Sequence, residues 1–145
     1  MQIEKVDEIT DEIYEGVCRL VPFLGTHKLI PSRAELDALI ASESSILLVA
    51  RTSGGVSLIA GMLTISIYRV PTGIRSIVED VVVDAEYRGR GIAKALLEAA
   101  IDLAREAGAS GIALTSNPRR VEANFLYQSV GFSKRETNAY FYKLK

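Results

Sequence analysis

The sequence predicts an α/β fold of the α+β kind, with antiparallel strands placed before a single long helix. Residues 46–84 read as successive strands joined by short turns at Thr52–Gly55 and Pro71–Gly73, and such turns pair neighbours antiparallel. A β-branched run, Ile77, Val78, Val81, Val82 and Val83, then meets a long amphipathic segment through Arg88-Gly89-Arg90-Gly91. The chain of 145 residues, 48% hydrophobic, is sized for one domain, residues 1–145, around one core.

Met1–Val6 alternates weakly and reads as a first strand. Asp7 or Thr10 caps a helix that continues to about Val21, with Ile9, Ile13, Val17 and Leu20 or Val21 as its apolar stripe. A loop bracketed by Pro22 and Pro31 follows. Ser32 caps the next helix, and Glu35 three residues on completes a capping box; the helix runs to about Ala41. Ile46–Arg51 and Val56–Tyr68 form a hairpin, and 75–84 is the strand after it.

The central helix opens near Arg88, with Ile92, Leu96, Ala100, Leu103 and Ala107 as its core stripe and Gly108 as C-cap. Gly111–Thr115 reads as a buried strand. A helix covers about Arg119 to Val130, stopped by Gly131, and Phe132–Lys134 with Tyr140–Leu144 read as a closing pair of strands. The total is a mixed, mostly antiparallel sheet of six to seven strands and about four helices.

Composition excludes several classes. A net charge of −1 argues against general nucleic-acid or acidic-membrane binding. One cysteine rules out an intramolecular disulfide and fits the reducing cytoplasm. No apolar run is long enough to span a bilayer, and the N-terminus lacks a signal peptide's apolar stretch. The one histidine, His27, has no ligand-spaced partner, so no metal site is expected. Cys18, beside the first helix's stripe, reads as a small buried hydrophobe.

The chemistry points to the strand–helix turn. A helix's first turn leaves N–H groups unpaired and carries the positive end of its dipole. Gly89 and Gly91 let an anion reach that backbone, and Arg88, Arg90 and Lys94 add charge, so a phosphate or pyrophosphate is the expected ligand. A P-loop is absent, and the dinucleotide fingerprint fails at its third glycine, where Lys94 stands.

Arg88-x-x-Gly91-x-Ala93 resembles the R/Q-x-x-G-x-G/A signature of the GNAT superfamily of acetyl-CoA-dependent N-acetyltransferases. Ala123-Asn124-Phe125-Leu126-Tyr127-Gln128-Ser129-Val130-Gly131-Phe132 is similar to that family's A-x-x-x-Y-x-x-x-G-F segment. The resemblance implies a GNAT fold whose central strand splays from its neighbour at a bulge. It implies that Val81, Val82 and Val83 hold the pantetheine arm of acetyl-CoA, with an N–H of Val82 or a neighbour facing the thioester. The amides of Arg88, Gly89, Arg90, Gly91, Ile92 and Ala93 would hold the pyrophosphate. Glu79 would relay the amine's proton, with Asp80 the alternative, and Tyr127 would protonate the leaving thiolate. Many members carry Asn where this chain has Arg120; Asn117 or Asn124 would replace it as a cofactor contact. Arg119 and Arg120 are candidates for phosphate or substrate, with surface solvation the equal alternative for each.

The expected reaction is acetyl transfer to a primary amine, on a small molecule or peptide, without a covalent enzyme intermediate. The segment around Glu79 looks especially like glucosamine-phosphate N-acetyltransferases, while other amines stay open. A non-catalytic acyl-CoA-binding or sensing module is the competing reading, and a homodimer is compatible with either.

Overall fold

The computed structural model describes residues 1–145. They divide into two compact units, Met1–Thr115 and Ser116–Lys145. The first unit holds strands β1 (Gln2–Lys5), β2 (Ser45–Arg51), β3 (Ile59–Val70) and β4 (Gly73–Val83), with helices α1 (Asp11–Leu20), α2 (Arg33–Ala41) and α3 (Ile92–Glu106). The second holds helix α4 (Val121–Val130). None of the helices is long and apolar enough to cross a membrane.

The four strands form one antiparallel sheet in the order β1-β2-β3-β4. Its register puts Leu47, Val49, Ile59, Met62 and Val82 on one face, where Ile9, Ile13, Val17 and Leu20 of the α1 segment and Leu36 of α2 cover them. Gly16 lets α1 lie close to β3: a Cβ there would stand 2.7 Å from Ile59 Cβ. The opposite face takes α3. A Cβ on Gly61 would meet Ile92 at 3.1 Å and Leu96 at 3.3 Å.

Local signals set the helix starts. The Thr10 hydroxyl accepts the Ile13 N–H at 3.2 Å. Ser32 and Glu35 close a capping box, with Ser32 Oγ accepting from Glu35 N at 3.1 Å and Glu35 accepting from Ser32 N at 2.9 Å. Those bonds hold the Glu35 carboxyl below its ordinary range. Arg51 ties β2 to Glu4 of β1 at 3.0 Å and also pairs with Glu12 of α1.

Three expectations are corrected. The sheet has four strands, not six or seven. Gly111–Thr115 makes only a parallel bridge, Ala113 to Ile77, and neither 132–134 nor 140–144 joins a ladder. Strand-forming side chains report fitness for a sheet, but a strand exists only where a neighbour takes its hydrogen bonds. On α3 the buried positions are Ile92, Leu96, Leu97, Ala100 and Ala104, while Ala107 is exposed, because the helix ends at Glu106 and its stripe turns back toward 104. β3 also begins at Ile59 rather than Val56, whose side chain is exposed.

Candidate active site

The candidate site in the first unit is built by β4, the turn after it and the start of α3. Thr64 pairs with Glu79 and Met62 with Val82, so Leu63 faces two residues, Asp80 and Val81. This is a β-bulge, and Asp80 occupies its left-handed position at φ 52°, the one non-glycine residue of the chain with positive φ. The bulge explains why Glu79 and Asp80 are both exposed within an otherwise buried run. Glu79, opposite Thr64, shares the sheet face of Met62 and Val82, the face covered by α1 and α2. Neither Glu79 nor Asp80 forms an ion pair: the structural pairs of the chain involve other carboxylates.

β4 is the last strand of the ladder, and its outer edge is only briefly paired. Ala113 donates to Ser76 O at 3.0 Å and accepts from Val78 N at 2.9 Å, and no main-chain bond to that side follows. The inner edge closes at Asp84, whose N–H donates to Ala60 O at 2.8 Å. Alternation back from Asp84 then turns the N–H of Val83 to the open edge and that of Val82 inward, toward Met62. Val83 O on that edge accepts from Arg88 Nε at 3.3 Å.

Asp84 sets the geometry of the turn. Its Oδ1 accepts the Glu86 N–H at 2.9 Å and starts a short 3-10 turn, Ala85–Tyr87. Its Oδ2 pairs with Arg19 of α1, whose Nη2 also donates to Ile59 O at 2.5 Å. The carboxylate is buried, 7% exposed, and so has its partners in place. Gly89 and Gly91 follow at φ 78° and 79°, left-handed conformations that glycine adopts freely. Gly91 is the N-cap of α3 and offers no side chain to the first N–H groups of the helix. A Cβ at either glycine would meet nothing within 4 Å, so the space over this helix end is open.

The arginines lie at the rim. Arg88 stacks over the Phe23 ring at 5.7 Å and Arg90 over Tyr87 at 4.7 Å. Ile92 is buried against the sheet, while Ala93 is half-buried. The turn can therefore present several N–H donors, a helix dipole and two guanidinium groups to one anion.

The second unit carries the remaining predicted residues. Asn117 Oδ1 accepts the Arg119 N–H at 2.9 Å, and Asn124 Nδ2 donates to the carbonyls of Asn117 at 2.9 Å and Arg120 at 2.8 Å. These asparagines shape the turn that starts α4. Arg119 and Arg120 are exposed. Tyr127 is buried, its ring edge-on to Phe132 at 6.2 Å, and its hydroxyl has no hydrogen-bond partner within the chain. Burial pushes that hydroxyl above its ordinary value, against a smaller opposing pull from Arg120. Cys18 is a half-buried free thiol on α1.

Sequence reasoning missed Arg19. It lies 65 residues from Asp84, and its one legible trait is a cation at the last turn of an amphipathic helix. Phe23 likewise carries no distinguishing mark, as an apolar residue in a proline-bracketed loop.

Comparison with known proteins agrees with this fold. The sequence profile of the acetyltransferase (GNAT) family matches residues 8–132. Human N-acetyltransferase 8B is 46% identical over 52 residues, which are 36% of this chain and 23% of that protein, so the match spans under a quarter of the relative's length. An aminoglycoside acetyltransferase from an uncultured soil metagenomic sample, solved with trehalose, superposes with a TM-score of 0.82 at 20% identity, covering 99% of this chain and 96% of that one. The structure of AAC(6')-Iy with the bisubstrate analogue CoA-S-monomethyl-acetylneamine superposes with a TM-score of 0.78 at 20% identity, over 98% and 97% of the two chains. With its family profile matched over most of its length, the chain belongs to the acetyltransferase (GNAT) family.

Proposed function

We propose that residues 1–145 act as one N-acetyltransferase domain that passes acetyl from acetyl-CoA directly to a primary amine. The observation that carries this reading is the uncapped N-terminus of α3, reached through two left-handed glycines directly after a bulged strand with an open edge. Acetyl-CoA fits this arrangement chemically: its pyrophosphate suits the helix end and its pantetheine amides suit a free strand edge. Family membership supports acetyl-CoA as the donor, and the CoA analogue bound by AAC(6')-Iy points the same way. The relatives that act on aminoglycosides support a small amine acceptor. The single cysteine supports a cytoplasmic setting.

In this mechanism Arg88, Gly89, Arg90, Gly91, Ile92 and Ala93 hold the pyrophosphate through backbone N–H groups, with the two arginines adding charge. Val81, Val82 and Val83 line the pantetheine arm. An N–H of Val82 or a neighbour polarises the thioester carbonyl, and that of Val83, at the open edge, is the neighbour best placed. Asn117 and Asn124 keep Nδ2 and Oδ1, respectively, for the cofactor. An amine attacks only when neutral, and a free alkyl amine has a pKa of about 10. Glu79, exposed and unpaired, takes that proton through water, and Tyr127 supplies one to the departing sulfur.

The test is an amine panel read by free-thiol release. Initial rates against both substrates should give intersecting lines, as a ternary complex requires. Parallel lines together with a dead Cys18→Ala protein would make Cys18 the nucleophile and contradict the proposal. Acetyl-CoA binding without thiol release for any amine would favour a non-catalytic acyl-CoA-binding module. Glu79→Gln should lower turnover most near neutral pH, with partial recovery at high pH where the amine is neutral without help. A Glu79→Gln profile parallel to the parent's would remove Glu79 from the proton path.

A further inference from the structure

Arg19 belongs to α1, yet its guanidinium ends at the turn where the proposed cofactor site begins. Nη1 pairs with Asp84 Oδ2, and Nη2 donates to Ile59 O at 2.5 Å. One side chain thus joins the last turn of α1, the first residue of β3 and the residue after β4. The planar fork of arginine suits two acceptors at once, which the single ammonium of lysine does not.

Asp84 has one oxygen left for this contact. Its N–H donates to Ala60 O at 2.8 Å, and its C=O accepts the Tyr87 N–H at 2.9 Å. Oδ1 accepts the Glu86 N–H at 2.9 Å. Oδ2 remains, on a buried carboxylate, and a buried anionic oxygen needs a cation or a donor. Without Arg19 the carboxylate must turn out to water and give up the Glu86 N–H.

The rim arginines hang on the same turn. Arg88 Nε donates to Val83 O at 3.3 Å and Arg90 Nη2 to Glu86 O at 3.4 Å, so both guanidinium groups are held by carbonyls that flank Asp84. Whatever moves Asp84 moves those carbonyls, and with them the charges beside the bare end of α3. A buried ion pair is by itself weak evidence for stability, since desolvation offsets its attraction. This pair instead fixes where α1, β3 and the turn stand relative to one another.

We propose that Arg19 is a positioning residue for acetyl-CoA. Acting through Asp84, it holds the turn so that Arg88, Arg90 and the first amides of α3 converge on one pyrophosphate. The inference rests on acetyl-CoA binding at the α3 end, as proposed above.

Titration calorimetry of acetyl-CoA into the parent and into Arg19 and Asp84 variants tests this, with amine turnover measured at saturating acetyl-CoA. Arg19→Met should bind about tenfold more weakly, and Arg19→Lys should fall between it and the parent. At saturating acetyl-CoA, kcat of both should stay within about twofold of the parent's. Because Arg19 acts through Asp84, Arg19→Met/Asp84→Asn should bind no more weakly than the weaker single variant. Losses that multiply overturn the proposal. A parent that binds no acetyl-CoA removes the proposed function as well. A parent that binds, with Arg19→Met and Arg19→Lys equal to it, overturns this inference alone, as does a fall in kcat at unchanged affinity. Hydrogen exchange on Arg19→Lys gives a reading that does not need Arg19→Met to fold. The Glu86 and Tyr87 amides should exchange faster than in the parent, while those of α1 keep the parent's rates. Faster exchange throughout α1 and the sheet would make Arg19 a support of the whole fold and overturn the proposal.

Discussion

Asp80 carries a conformational cost that a glycine would avoid. An L-residue in the left-handed region gives up about 1–2 kcal/mol, least for Asp and Asn. Asp80→Gly should therefore leave thermal stability near the parent's, while Asp80→Val should lose about 1–2 kcal/mol. An Asp80→Val protein as stable as the parent in urea unfolding would mean that no bulge is present in solution. Tyr127 offers a second test at this scale. Tyr127→Phe removes the hydroxyl and keeps the ring, so kcat should fall about 10²-fold with acetyl-CoA affinity little changed. Its pKa is raised, so the folded chain holds the phenolic proton more tightly than the unfolded one. The associated stability is intact below the ordinary tyrosine value of about 10 and is lost as pH climbs past it. The proton proposed for the leaving sulfur is thus held across the neutral range. An alkaline limb of kcat with its midpoint below about 10 that disappears in Tyr127→Phe would contradict this assignment.

The elements show where sequence is a sufficient guide. The Ser32–Glu35 box and the Thr10 cap are legible because both partners lie within three residues. The stripe Ile9, Ile13, Val17 and Leu20 is legible because burial on one face imposes the helical period. The β4–turn–α3 unit is legible for the same local reason: glycines at 89 and 91 announce the left-handed turn. Arg19 with Asp84 is not, since nothing in either neighbourhood names the other across the sheet. Nor does β-propensity at 140–144 say which edge, if any, those residues meet. The fit of α1 on β3 is equally nonlocal and gives a prediction. Gly16→Ala places a methyl group 2.7 Å from Ile59 Cβ, so the two elements must part. Overpacking of this kind costs about 1–3 kcal/mol. An unchanged denaturation midpoint would show that α1 does not sit as close to β3 as described.

At the scale of the whole molecule, one arrangement carries the proposed chemistry: a bulged strand with an open edge, a glycine turn and a bare helix end, all in residues 73–106. Every role proposed for other residues depends on acetyl-CoA binding there. Titration calorimetry of acetyl-CoA into the parent and into Gly91→Val is the direct measurement. Valine at φ 79° is strained, and its side chain occupies the space through which the proposed phosphate would reach the α3 amides. The parent should bind with an integral stoichiometry per chain and the variant at least tenfold more weakly, with both folded by circular dichroism. Equal affinities in the two proteins would contradict the site.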